Sequence, residues 1–304
     1  MNAPFSHIAI IGLGLLGGSV ALAVRDCLPG ATTAGFDSDA AVRARAREIG
    51  LASHIAESAA EAVQGADLVV LCVPVGAMKA AGQAIAAGLS ANVVVTDVGS
   101  SKAAVARALA EALPGVCVIP SHPVAGTEQS GPDAAFASLL RGRWCIVTPP
   151  ADADPARVAQ LIGFWEALGA RTETMDAEHH DRVLAVTSHL PHLIAYTIVG
   201  TASDLEAVTQ SEVIKYSAGG FRDFTRIAAS DPTMWRDVFL SNREAVLEML
   251  QRFTEDLTEL QKAIRKGDGE TLFDTFTRTR AIRRAIIDMG QDDARPDFGR
   301  SDHA

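Results

Sequence analysis

The sequence predicts an α/β chain: an N-terminal doubly wound, mostly parallel sheet followed by a C-terminal all-helical domain. Three observations carry this. Short β-branched runs alternate with alanine-rich stretches up to about residue 150, the pattern of βαβ units. A glycine-punctuated turn follows the first run. After about Glu173 the strand signals stop, and only helical patterning remains.

The strand-like runs lie at residues 7–11, 33–36, 68–73, 93–96, 116–119 and 145–148. Asp154-Pro155 reads as N-cap and first residue of a helix running to Leu168, with Gly169 as its stop. Asp231-Pro232 is a second cap-and-start pair, ahead of residues 234–240. Val246, Leu250, Phe253, Leu257, Leu260 and Ile264 recur at spacings of four and three, a narrow heptad seam. Gly267-Asp268-Gly269 breaks that helix, and a second amphipathic one (Leu272, Phe273, Phe276, Ile282, Ile286) ends at Gly290. The seam is either an ordinary core-facing stripe or, with its neighbour, the interface of a homodimer. The expected domains are 1–174 and 175–290, with a polar tail at 291–304 that should fray.

Composition narrows the function. With 304 residues, 48% hydrophobic and 21% charged, the chain can bury two cores. A net charge of -10 and the lack of Lys/Arg runs argue against nucleic acid as a partner, and an anionic substrate would need a local basic pocket. The four cysteines (Cys27, Cys72, Cys117, Cys145) are scattered, three of them in or next to apolar runs; they read as buried free thiols in a reducing compartment, with no metal-site spacing. The uncharged stretch 8–24 has no basic residue before it and is punctuated by glycines, so it reads as strand, turn and helix rather than a signal peptide. No other segment reads as apolar enough to span a membrane, so a cytoplasmic protein without a membrane partner is expected.

Gly12, Gly14 and Gly17 have the GxGxxG spacing, which alone is weak. Here an apolar strand precedes it, an alanine-rich helix follows, and Asp37 ends the next strand. Gly12 permits the tight turn, Gly14 lets the backbone approach a pyrophosphate, and Gly17 lets helix and strand pack closely, while Leu15 and Leu16 open the helix that faces the anion. This is a Rossmann-type site. The Asp37 carboxylate suits the hydroxyls of an adenosine ribose and would repel a 2′-phosphate, which favours NAD over NADP; its alternative is to cap the helix that follows. Val73-Pro74 closes the 68–73 run, where the chain passes beside the cofactor.

Residues 121–131, Ser-His-Pro-Val-Ala-Gly-Thr-Glu-Gln-Ser-Gly, form a glycine-rich loop at the end of the 116–119 strand, which makes His122 and Glu128 catalytic candidates. Three further islands stand out: Asp97-Val-Gly-Ser-Ser-Lys102, Ser188-His-Leu-Pro-His192, and the run from Gly219-Gly-Phe-Arg-Asp-Phe-Thr-Arg226 to Trp235. In order and wording these resemble the prephenate/arogenate dehydrogenase family of tyrosine biosynthesis, over about residues 7–290. The resemblance implies NAD-dependent oxidation of the ring alcohol of prephenate, or of arogenate, with loss of the ring carboxylate as carbon dioxide. The alternatives are another hydroxyacid or imine dehydrogenase of the same two-domain type, and a non-catalytic NAD-sensing regulator.

Carried onto this chain, the resemblance makes His122 the base for the alcohol proton, a role that suits a near-neutral imidazole. It makes Ser101 the serine that bonds the reacting hydroxyl and the nicotinamide side, although Ser100 or Ser101 would also cap the following helix. Arg226 becomes the bidentate holder of the ring carboxylate, where it would otherwise be a solvated helix residue; Arg222 is a weaker basic candidate. His192 contacts the substrate side chain and His189, one helical turn away across Pro191, packs nearby. Glu128 positions substrate, and Trp235 supports the pocket. The pair His179-His180 reads as a solvated helix start.

Overall fold

A computed structural model of the chain describes residues 3–127, 129–209 and 219–288. Strands β1 (His7–Ile11), β2 (Thr32–Phe36), β3 (His54–Ile55), β4 (Leu68–Leu71), β5 (Val94–Asp97) and β6 (Cys117–Val118) form one sheet in the order β3-β2-β1-β4-β5-β6, every pairing parallel. That order reverses direction between β1 and β4, the switch point at which open α/β sheets hold their ligands.

The central strands β1 and β4 are nearly continuous apolar runs because both sheet faces are covered there. In β1, Ile8 and Ile10 join one buried cluster while Ala9 and Ile11 join the other; Leu68 and Val70 of β4 divide from Val69 and Leu71 in the same way. The covering helices are α1 (Leu15–Cys27), α2 (Ala40–Glu48), α3 (Ala59–Ala62), α4 (Met78–Ile85), α5 (Ala103–Ala112) and α6 (Pro155–Ala167). Asp154 caps α6 through the Ala156 N–H with Pro155 in its first turn, and Gly169 follows at φ +90°, as the sequence predicts.

The run at 145–148, expected in the parallel sheet, instead belongs to a separate small one. There β8 (Trp144–Val147) pairs antiparallel with β7 (Ser121–Pro123) and parallel with β9 (Arg171–Thr174). The expected loop at 121 therefore begins as a strand, and His122 sits at its centre opposite Ile146. A strand position fixes the His122 backbone more firmly than a loop would.

Beyond β9 the described chain is helical: α7 (Ala177–Leu184), a π turn (Ala185–His189), α8 (Leu190–Thr209), α9 (Gly219–Thr225), a 3₁₀ turn (Arg226–Ala229), α10 (Pro232–Ser241), α11 (Arg243–Lys266) and α12 (Gly269–Asp288). Two compact units result, 1–247 and 248–304. The predicted end of α12 at Gly290 and the tail at 291–304 lie outside the described residues.

Two expectations need correction. The helical run Ala177–Asp204, with mean hydropathy 1.4 in its most apolar window, is long and apolar enough by length and composition to cross a membrane. Its threonines Thr187, Thr197 and Thr201 donate to carbonyls one helical turn back. Of the cysteines, all free, Cys145 alone is fully buried; Cys27, Cys72 and Cys117 are half-buried.

Candidate active site

The glycine turn is built by steric necessity. Gly12 has φ +98°, its N–H donates to the Phe36 carbonyl at 2.7 Å, and a side chain there would strike the Cys72 carbonyl oxygen. A side chain at Gly17 would strike the Gly12 carbonyl, whereas Gly14 faces open space. Gly14 is also the N-cap of α1 and offers no side-chain cap, so the helix start at Leu15 and Leu16 presents bare N–H groups to an anion. These are the features a pyrophosphate cradle needs.

Asp37 does not cap α2; Asp39 does, accepting from Ala41 N–H at 2.7 Å. The Asp37 carboxylate instead accepts from the Leu13 and Asp39 N–H groups, at 2.8 and 2.9 Å, which fixes it beside the glycine turn. Val73 reaches the same turn from the end of β4, and Pro74 begins the 3₁₀ turn that follows.

At the end of β5, Asp97 and Lys102 form a fully buried ion pair. Lys102 Nζ also donates to the Ser121 carbonyl at 2.8 Å, and the Ser121 hydroxyl donates to the Asp97 carbonyl at 2.8 Å. The start of β7 is thereby laced to the end of β5. Burial pushes the Asp97 carboxyl up and the Lys102 ammonium down, each opposed by its partner's charge.

Neither Ser100 nor Ser101 caps α5. The first free N–H groups of that helix, on Lys102 and Ala103, are taken by the two oxygens of Asp181 from α7, at 2.7 and 3.0 Å. This leaves the buried Ser101 hydroxyl to meet Ser241 Oγ at 2.8 Å.

The expectation for His180 fails as well. It is fully buried, because Asp176 caps α7 and sets His180 and Leu184 on the inward face at a spacing of four; His179 alone is exposed. Its Nε2 lies 2.8 Å from His122 Nδ1, and its Nδ1 lies 2.9 Å from Asp181 Oδ1. Burial, then the like charges of His180, Lys102 and His189, hold the His122 imidazole well below the usual histidine range. His122 is neutral at physiological pH and able to accept a proton.

The π turn precedes Pro191, whose missing N–H cannot continue the ladder, and it directs His189 inward. Asn242 Nδ2 bridges His189 Nδ1 at 3.1 Å and the Asp181 carbonyl at 2.8 Å. Burial lowers His189 to about 4. His192 donates through Nδ1 to the Ser188 carbonyl at 2.8 Å and stacks on Trp235, ring centroids 3.6 Å apart. Its own pKa is lowered by burial, with Arg226 contributing as a nearby cation. Arg226 opens the 3₁₀ turn, whose end is tied to α8 by the Tyr196 hydroxyl donating to the Ser230 carbonyl at 2.7 Å. Arg222 is exposed and pairs with Asp223 at 3.6 Å. Glu128 lies outside the described residues. No group of three or more His, Cys, Asp or Glu is placed to hold a metal among the described residues.

An open glycine turn with a carboxylate fixed beside it, at the switch point of a parallel sheet, is the arrangement of a nucleotide-dependent dehydrogenase. Residues 20–174 match the prephenate dehydrogenase nucleotide-binding domain, and residues 176–278 match the prephenate dehydrogenase dimerization domain. The chain belongs to the prephenate dehydrogenase family. It is 44% identical to the cyclohexadienyl dehydrogenase of Zymomonas mobilis over 93% of this chain and 96% of that one. It is 32% identical to the prephenate dehydrogenase of Bacillus subtilis, over 94% of this chain and 77% of the relative. Among solved structures, the Aquifex aeolicus prephenate dehydrogenase in complex with hydroxyphenyl propionate and NAD+ superposes with a TM-score of 0.86, at 32% identity, covering 92% of this chain and 98% of that one.

Proposed function

We propose that this chain oxidises prephenate at the ring alcohol and releases carbon dioxide, giving 4-hydroxyphenylpyruvate, with His122 as the base. The observation that carries the assignment of residues is the Asp181 carboxylate. It pins the helix that begins beside Ser101 and, through His180, the ring of His122, so base and serine share one rigid frame.

NAD, when bound, supplies the hydride acceptor. Gly12, Gly14 and Gly17, with the N–H groups of Leu15 and Leu16, would hold its pyrophosphate; Asp37 would take the ribose hydroxyls, and Val73-Pro74 would flank it. His122 accepts the hydroxyl proton as the C4–H bond breaks. Ser101 hydrogen-bonds the same hydroxyl and orients it. Arg226 grips the ring carboxylate through a two-pronged contact and releases it as the ring becomes aromatic. His192, held flat against Trp235, meets the substrate side chain with His189 behind it; Glu128 is assigned to substrate positioning and Arg222 remains the weaker basic candidate.

The helical part, residues 175–290, would then serve substrate binding and pairing of two copies in the cytoplasm. Leu257 and Ile264 of the seam, and Phe273, Phe276 and Ile282 of α12, are more than half exposed in the single chain, which supports a homodimer over an ordinary core stripe. Steady-state kinetics with prephenate and arogenate, each with NAD and NADP, test the activity. Turnover of prephenate with NAD is expected, and no NADH formation from either substrate would overturn the reading.

A further inference from the structure

We propose that His180 and Asp181 are positioning residues that lock His122 in the tautomer with Nδ1 protonated and Nε2 bare, and that they share the proton His122 removes. The proposal rests on His122 being the base, and it adds the means by which that base is kept in the correct protonation state.

Asp181 sits at the N-terminus of α5, where the Lys102 and Ala103 N–H groups donate to it. Burial alone would raise its carboxyl, but the His180 bond and those two backbone donors hold it below the usual carboxylate range. The carboxylate is therefore ionised and can only accept. His180 Nδ1, 2.9 Å away, must be the donor. Burial favours the neutral form of His180, which leaves its Nε2 as an acceptor. His122 Nδ1, 2.8 Å from that acceptor, must carry its proton. The lone pair of a neutral His122 is then confined to Nε2.

Proton accounting follows the same line. As the substrate O–H bond breaks, a bond forms from that hydrogen to His122 Nε2; the Nδ1 proton shifts toward His180 Nε2, and the new imidazolium charge is set against Asp181. The hydride leaves with the nicotinamide and the carboxylate as carbon dioxide, so the relay needs no further reactant. Lys102 and His189 also face this chain and oppose the added charge, while Asp97 offsets Lys102. Asp181 is the anion that makes protonation of the pair tolerable.

Three measurements decide it. In the NAD-bound enzyme labelled with ¹⁵N-histidine, long-range proton–nitrogen correlation should show His122 with a protonated Nδ1 and a bare Nε2; the opposite tautomer overturns the proposal without any variant being made. His180→Leu should lower kcat about 100-fold, the lower end of what a general base is worth, with KM for prephenate and Kd for NAD within about twofold. His180→Gln, whose amide oxygen can still accept from Nδ1, should recover part of that loss. Asp181→Asn should lower the plateau and move the acid limb of kcat/KM to lower pH, because the anion that favours the imidazolium is gone. A His180→Leu enzyme with parental kcat, or an Asp181→Asn enzyme with an unmoved limb, overturns the relay. If His122→Asn is inactive while His180→Leu is normal, the relay alone fails; if His122→Asn is active, the base assignment fails.

Discussion

His122 shows how a residue's surroundings decide its chemistry. A surface histidine is half-charged near neutral pH, whereas this one is buried beside three groups that carry or can take positive charge. Replacing it with Asn removes the base but keeps a similar volume. Turnover should fall by about two to four orders of magnitude, the usual worth of a general base, while NAD binding followed by fluorescence titration stays unchanged. Near-normal turnover would sink the assignment. The sequence singled out His122 by its place after the 116–119 run and Asp37 by its place at the end of another; the structure puts His122 within β7 and fixes the Asp37 carboxylate beside the glycine turn. Sequence alone misread His180 by taking the His179-His180 pair, though on different faces, as a solvated helix start. The missed signal was the spacing from the Asp176 cap to His180 and Leu184, which puts those two side chains on the apolar face of α7.

At the scale of elements, five of the six parallel strands were legible because burial on both faces demands apolar runs, as in Leu68–Leu71, whereas the two-residue β3 (His54–Ile55) left no such run to read. β7 and β9 were not legible either. Ser-His-Pro reads as a turn, and Arg-Thr-Glu-Thr has no apolar face; both are strands because β8 lies between them. Capping of α5 was equally invisible, since its capping carboxylate lies 79 residues further along. The Lys102–Asp97 pair is one of the ties between the two sheets, beside the Ser121 hydroxyl. Lys102→Met, similar in length but uncharged, strands a buried carboxylate and should destabilise unit 1 by about 3–5 kcal/mol, read as a lower urea midpoint. A Lys102→Met, Asp97→Asn double variant should regain part of that loss; if it is no more stable than the single variant, the pair is not one of those ties.

For the whole molecule, three buried histidines set the response to acid. His122, His180 and His189 all have folded-state pKa values below the ordinary 6.5, His189 to about 4. Well above pH 6.5 they are neutral in both folded and unfolded chains and contribute little pH dependence. As the pH falls toward 4, the unfolded chain takes up protons that the folded chain refuses, and stability is lost at up to about 1.4 kcal/mol per pH unit for each. Thermal melts should therefore drop steeply between pH 6.5 and 5, and His189→Gln should make the slope shallower. A melt independent of pH across that interval would refute the burial of these rings. Assembly is the other property of this scale: Phe273→Asp with Phe276→Asp should convert a dimer to a monomer by light scattering, since two carboxylates cannot be buried unpaired. A wild-type mass equal to one chain would remove the dimer.

The carboxylate of Asp181 also bears on how freely this protein could have been pieced together. The helix after Ser101 belongs to the nucleotide-binding stretch, yet the group that satisfies its first N–H donors comes from beyond residue 174. Excised at that point, the stretch would keep its sheet but lose the anion at the head of α5, and with it the geometry around Ser101. Grafting a different helical partner onto the same nucleotide-binding stretch would have to bring an acid to the same spot. The two halves are thus not interchangeable parts, and because the donors at the head of α5 are backbone N–H groups, no side-chain change there can stand in for the acid at position 181.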